Sequence, residues 1–222
     1  MIITEKNTEN GEVILREGPA GYEIIVDGQF LMSSASGNSS EALVEMGLAK
    51  LKPRSGLQVL IGGLGLGFSL KTALLDSAVA EVTVIELENQ IIEWHRQGLI
   101  GNTKQLLRDP RVRILNRDFL QFSEEWSACA NPKYDLIALD IDNGPDWLSH
   151  EANVQLYGEQ VLKRLLRMLN HQGILTMWSA APSTLLEQSL QQVFGNVMVE
   201  EAADHNGEGK VIMAYIYICQ SR

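Results

Sequence analysis

Cysteine is nearly absent from this 222-residue chain: Cys129 and Cys219 are the only two. Two thiols far apart in sequence cannot make a disulfide framework or a Cys-rich zinc site, so both are expected to be reduced. Basic residues are also short, 18 Lys and Arg against 28 Asp and Glu, for a net charge of −10. That balance argues against a nucleic-acid partner, because phosphate contacts need Lys and Arg. It is compatible with a small cationic substrate, although acidity is common among soluble enzymes. No apolar run approaches the roughly 20 residues that cross a bilayer. The first twelve residues lack a basic-then-apolar leader pattern, so a cytoplasmic protein with no membrane partner is expected. There is no internal repeat and no low-complexity tract. No His, Cys or Asp cluster has ligand spacing, so no metal is expected.

What is present centres on residues 58–88. An apolar strand at 59–61 runs into four glycines, Gly62, Gly63, Gly65 and Gly67, then into a helical stretch, then into a second strand ending at Glu86. Glycines let a turn reach unusual backbone angles and let a ligand approach the main chain. The helix start offers unpaired N–H groups. A carboxylate ending the next strand suits ribose hydroxyls, and Glu86 lies 19 residues beyond Gly67, near the spacing such a unit needs. The plain alternative is a Gly-rich connection with a solvated Glu.

Strands are expected at 12–17, 22–26 and 29–32, forming a small β-hairpin module over 1–38. A helix at 41–50 follows, capped by Ser39 or Ser40. From 39 to 222, strands at 59–61, 82–85, 112–115, 134–139 and 173–178 alternate with helices, including one over 154–169 and one over 182–194. Two last strands, 197–202 and 211–219, are separated by too few residues for a crossover and pair antiparallel. The expected fold is α/β: a Rossmann-like class I methyltransferase fold, with a mostly parallel seven-stranded sheet and an antiparallel C-terminal strand.

Ligands bind at the carboxyl ends of parallel strands in such sheets. There the sequence puts the Gly62–Gly67 turn, Glu86, Asp118, and Asp140 with Asp142 and Asn143. A row of acids repels a pyrophosphate and favours a sulfonium nucleoside of the S-adenosylmethionine type. A dinucleotide oxidoreductase and a non-catalytic nucleoside-binding protein are the rival readings. Trp147 is placed to wall a substrate pocket, while Trp178 reads as core. His95, His150 and His205 show no partner pattern.

Residues 61–88, Asp109-Pro110-Arg111-Val112 with Asp118, and the 134–140 strand ending in Asp140 together resemble the spermidine synthase family. The resemblance implies a hairpin module before a class I methyltransferase-like domain, and a homodimer. It implies a donor nucleoside held by Gly63, Gly65, Gly67 and Glu86, with Asp118 on adenine and Asp140 as general base. The plain alternative for Asp118 is a helix cap and for Asp140 a cap or turn residue; Asp142 and Asn143, as active-site groups, compete with ordinary turn chemistry in Asp-Asn-Gly-Pro. The chain departs from the family where a donor-binding Asp is replaced by Gly65 and a Tyr-His pair by Leu43 and Val44. It also departs in the short 140–145 loop. The pattern looks like a divergent branch of spermidine synthase-like proteins. Since Gly65 leaves room for a methionine carboxylate, which the N–H groups of the helix start would receive, the favoured expectation is methyl transfer from intact S-adenosylmethionine to a small-molecule acceptor. The alternative is a polyamine aminopropyltransferase using decarboxylated S-adenosylmethionine.

Overall fold

Apolar strands need cover on both faces, and the order in which this chain supplies strands and helices decides where the sheet turns around. The computed structural model describes residues 1–18, 21–52, 55–128, 133–141, 143–145, 151–205 and 210–222. Its main sheet holds β5 (Leu57–Gly62), β6 (Val79–Glu86), β7 (Val112–Asn116), β8 (Tyr134–Leu139), β9 (Leu169–Ser179), β10 (Met198–His205) and β11 (Val211–Gln220). The spatial order is β10-β11-β9-β8-β5-β6-β7. β5 pairs parallel with β6 on one side and with β8 on the other. Successive strands are therefore added outward from β5 in opposite directions, and the crevice between the ends of β5 and β8 is the switch point where such sheets bind ligands. β11 lies antiparallel between β9 and β10, as the short connection requires.

Every residue of β8 is buried, and so is all of β5 except Gln58, which explains why both read as continuous apolar runs. One face carries Val59, Ile61, Leu136 and Ala138, packed with Leu43 and Val44 of α1 (Asn38–Lys50) and Leu70 of α2 (Phe68–Leu75). Ile91 and Trp94 of α3 (Asn89–Gln97) belong to the same cluster. The opposite face carries Leu60 and Ile137 against α4 (Phe119–Ala128), α5 (Glu159–Met168) and α6 (Thr184–Phe194). α5 buries Val161, Leu162, Leu165 and Met168 at helical spacing. The helix expected over 154–169 is two pieces, a 3-10 turn Glu151–Tyr157 and α5, separated by Gly158 in an extended conformation. α6 starts later than expected, because the Ser183 hydroxyl accepts the Leu186 N–H and caps it. No helix among the described residues is long and apolar enough to cross a membrane.

The N-terminal module is a four-stranded antiparallel meander: β1 (Ile2–Thr8), β2 (Gly11–Gly18), β3 (Gly21–Val26) and β4 (Gln29–Ser33). β1 is additional to the strands expected. Its side chains are exposed or half-buried, so it carries no clean apolar alternation. Val13, Leu15 and Ile24 turn their side chains into the main core. Three polar contacts fasten this sheet to residues 58–88. Glu88 Oε2 accepts the Thr8 hydroxyl at 2.8 Å and the Asn10 amide at 3.3 Å. Met32 Sδ accepts the Leu66 backbone N–H at 3.3 Å.

Glu88 also caps α3 by accepting the Gln90 N–H at 2.8 Å. Glu88→Ala removes acceptors from all three donors and is expected to cost about 1–3 kcal/mol. Urea unfolding measures that loss. Limited proteolysis should show earlier cleavage inside residues 1–33; an unchanged cleavage pattern there would mean that Glu88 does not hold the small sheet.

Candidate active site

The turn that follows β5 closes because three glycines take left-handed backbone angles: Gly63 at φ +91°, Gly65 at +48° and Gly67 at +87°. At Gly63 the reason is also contact, since a Cβ there would lie 2.2 Å from the Asp140 carbonyl oxygen. The Asp140 N–H in turn donates to the Gly62 carbonyl at 2.9 Å. The glycine turn and the start of the 140–145 segment thus lie backbone to backbone at the switch point.

Glu86, only 7% exposed, ends β6 beneath this turn. Its Oε2 accepts the Leu64 N–H and its Oε1 the Glu88 N–H, both at 2.7 Å. Burial pushes its carboxyl above the ordinary 4.5, while the N–H groups of Glu88, Leu64 and Gly65 pull it back. The remaining turn N–H groups are also engaged. Gly63 donates to the Ile85 carbonyl, Gly67 to the Leu64 carbonyl and Leu66 to Met32 Sδ. Gly67, the cap of α2, contributes no side-chain hydrogen bond to the first N–H groups of that helix.

Beside the turn lies His95, fully buried on α3. Its Nε2 is 2.8 Å from the Gly65 carbonyl, which can only accept, so Nε2 carries a proton. Nδ1 is 2.7 Å from the Thr103 hydroxyl. Burial holds the imidazole below its ordinary 6.5, opposed by the bond to Gly65, so it is neutral at pH 7. No pairing pattern in the sequence pointed to it.

Asp140 is half-buried at the end of β8, and its Oδ2 accepts the Ser40 hydroxyl at 2.7 Å. Burial pushes its carboxyl above the ordinary 3.8; Ser40 lowers it and the charge of Asp204 raises it. Asp118 accepts the Gln121 N–H at 2.7 Å and so caps α4, the capping role anticipated as its alternative. The carbonyl of Asn143 accepts the Ala180 N–H at 2.9 Å, which sets it beside the end of β9. Gly144 packs on Ser179 in the same place. Asp142, Trp147, His150 and Cys129 lie outside the described residues. His205 is on the exposed end of β10, and Trp178 packs half-buried against the core. The site therefore brings together the 62–67 turn, Glu86 and Asp140, with Asp118 and Asn143 on flanking strand ends. Met32, His95, Ser40 and Asp204 join it unannounced, because each is linked to it by long-range contact alone.

This is a class I methyltransferase-like fold with a glycine turn and two acids, Glu86 and Asp140, at its switch point. The chain matches the spermine/spermidine synthase domain over residues 38–203, and it belongs to that family. It is 25% identical to a polyamine aminopropyltransferase of Saccharolobus solfataricus over 84% of this chain and 60% of that protein. A polyamine aminopropyltransferase of Pyrobaculum calidifontis is 29% identical over 52% of this chain and 39% of its own length. The chain thus spans less than two thirds of the curated relatives it matches. Its fold superposes on a crystal structure of spermidine synthase in complex with the transition state analogue AdoDATO, at a TM-score of 0.82 and 19% identity, over all of this chain and 74% of that one. Spermidine synthase from Thermotoga maritima gives 0.79 and 19%, over all of this chain and 72% of that one.

These relationships overturn the favoured expectation of a methyltransferase using intact S-adenosylmethionine, and they favour the aminopropyl alternative. The room that expectation assigned beside Gly65 is also filled. It needed space there for a methionine carboxylate, to be received by the N–H groups of the helix start. Met32 Sδ lies 2.8 Å from where a Gly65 Cβ would be, and the N–H groups of residues 63–67 already have acceptors.

His95 gives the site a pH signature. Its folded-state pKa is lowered, so just below pH 6.5 the unfolded chain binds a proton that the folded chain does not. Stability contributed by neutral His95 is therefore present above that range and lost as pH falls through it. Glu86 and Asp140, both raised, act in the opposite direction and are common to wild type and variant. His95→Gln keeps an N–H donor and removes the titration. Urea unfolding at several pH values should show a shallower loss between about pH 7 and pH 5.5 in the variant. Equal slopes would show that His95 is not held neutral.

Proposed function

We propose that this chain transfers an aminopropyl group from decarboxylated S-adenosylmethionine to an amine acceptor. The observation that carries the reading is the position of Asp140: a carboxyl of raised proton affinity, oriented by Ser40 and set against the glycine turn at the switch point. Membership of the spermine/spermidine synthase family supports it.

In this reading the turn and Glu86 hold the nucleoside, Glu86 through the ribose hydroxyls, with Asp118 near adenine. The neutral acceptor nitrogen attacks the propyl carbon bonded to the sulfonium. The carbon–nitrogen bond forms as the carbon–sulfur bond breaks, and its electron pair leaves on the now neutral sulfur of methylthioadenosine. The proton shed by the new ammonium passes to Asp140. Most of the acceleration comes from holding nitrogen, carbon and sulfur in line. Asn143, Asp142 and Trp147 are assigned to the acceptor side. A homodimer belongs to the same reading, with Ile2 and Phe30 exposed on the small sheet as candidate contact residues; sedimentation tests it.

The test is an assay with decarboxylated S-adenosylmethionine against a panel of diamines and polyamines, following methylthioadenosine and the lengthened amine together. Asp140→Asn should lower kcat by roughly 10²–10⁴ with donor binding largely kept. Glu86→Ala should weaken donor binding at least about tenfold. Methyl transfer from intact S-adenosylmethionine without methylthioadenosine release would sink the proposal, as would NAD binding with no nucleoside sulfonium binding.

A further inference from the structure

Two adjacent serines in the first turn of α1 reach two acids on different strands. Ser40 donates its hydroxyl to Asp140 at the end of β8. Ser39 donates its backbone N–H at 3.0 Å and its hydroxyl at 2.8 Å to Oδ2 of Asp204 near the end of β10. The other Asp204 oxygen accepts the His205 N–H at 2.9 Å. Asp204 is 1% exposed, on the sheet face that α1 covers, beside Ala202 and Ala214. A carboxylate at that depth is costly unless its hydrogen bonds and field compensate. Three N–H and O–H donors and the positive end of α1 do so here.

We propose that Asp204 is a positioning residue for Asp140: it anchors the first turn of α1, fixes the direction from which Ser40 donates, and sets a second negative charge near the active-site carboxyl. The kinetic consequence rests on the aminopropyl-transfer reading; the electrostatic consequence does not. A like charge nearby disfavours ionisation, so Asp204 adds to the effect of burial in raising the proton affinity of Asp140. A base of higher proton affinity accepts the ammonium proton more readily. Among the described residues the other groups around Asp140 are uncharged. α1 presents Ser40, the turn presents the backbone of Gly63, and α2 presents Ser69, whose hydroxyl donates to the Ser40 carbonyl. The neighbouring strand β9 ends in Trp178 and Ser179. Glu41, next on α1, is ion-paired to Lys71.

The experiment follows the Asp140 carboxyl by carbon-13 NMR of the Asp-labelled 222-residue chain, assigned through its loss in Asp140→Asn, alongside the acid limb of the pH–rate profile. Asp204→Asn should move the Asp140 midpoint, and the acid limb with it, to lower pH. Asp204→Glu, which keeps the charge, should restore most of that shift. Ser39→Ala releases the helix start, weakens the Ser40 bond that favours the charged form, and should move the midpoint the other way. Opposite shifts are not produced by a residue that merely holds the fold together. An unmoved midpoint in folded Asp204→Asn overturns the inference, and if that variant does not fold, an unmoved midpoint in folded Ser39→Ala does so. A wild type that makes no lengthened amine would instead defeat the functional reading, while the NMR titration would still decide the role of Asp204.

Discussion

The buried carboxylate of Glu86 is the interaction on which the site depends. A turn that bends the chain away from a central strand turns several N–H groups inward, and buried donors without acceptors are costly. Glu86 answers Leu64, Gly65 and Glu88 with one side chain. That ties the turn after β5 to the end of β6. Gly65 is held from both sides, because His95 donates to its carbonyl while its own N–H donates to Glu86. Gly65 therefore has little freedom despite being a glycine in a turn. Preorganisation of this kind lowers the ordering cost of binding a ligand.

The small N-terminal sheet takes part in the same construction. Met32 brings its sulfur to the Leu66 N–H and fills the space a side chain at 65 would need, while Thr8 and Asn10 hold Glu88 two residues beyond Glu86. Residues 32 and 65 are thus coupled sterically. An Asp at 65, the residue the resemblance leads one to look for, is incompatible with Met32 in its present position. In this chain the Met32 thioether occupies the space that a side chain at 65 would enter.

What was legible in the sequence was whatever is set by neighbours along the chain. Buried apolar runs, the glycines, the terminal acid of β6 and the short final connection led to the fold and to Glu86 and Asp140. The serines of α1 were misread, since Ser before an apolar periodic stretch is the ordinary mark of a cap. The helix begins earlier, after Gly37, and Ser39 and Ser40 lie inside it with their hydroxyls on acids 165 and 100 residues away. Asp204 was hidden for the same reason: in sequence it opens a run of turn residues, and only the placement of β10 against α1 buries it. β1 was missed because it is too polar to show alternation, and Asp118 fits a cap by purely local geometry.

Charge decides what such a site suits. Glu86 and Asp140 both hold protons more tightly than free carboxylates because burial disfavours their ionised forms, and Asp204 adds further negative charge beside Asp140. Two acids strained in this way gain from a nearby cation what water would otherwise supply. In the proposed reaction the donor arrives as a sulfonium and leaves as a neutral thioether, so the attraction present before transfer disappears with the product's charge. The neutral methylthioadenosine is then held only by hydrogen bonds and packing, while the proton taken up by Asp140 removes one of the charges that drew the donor in. In that proposal donor binding and product release both draw on the Asp140 carboxyl, ionised before transfer and protonated after it.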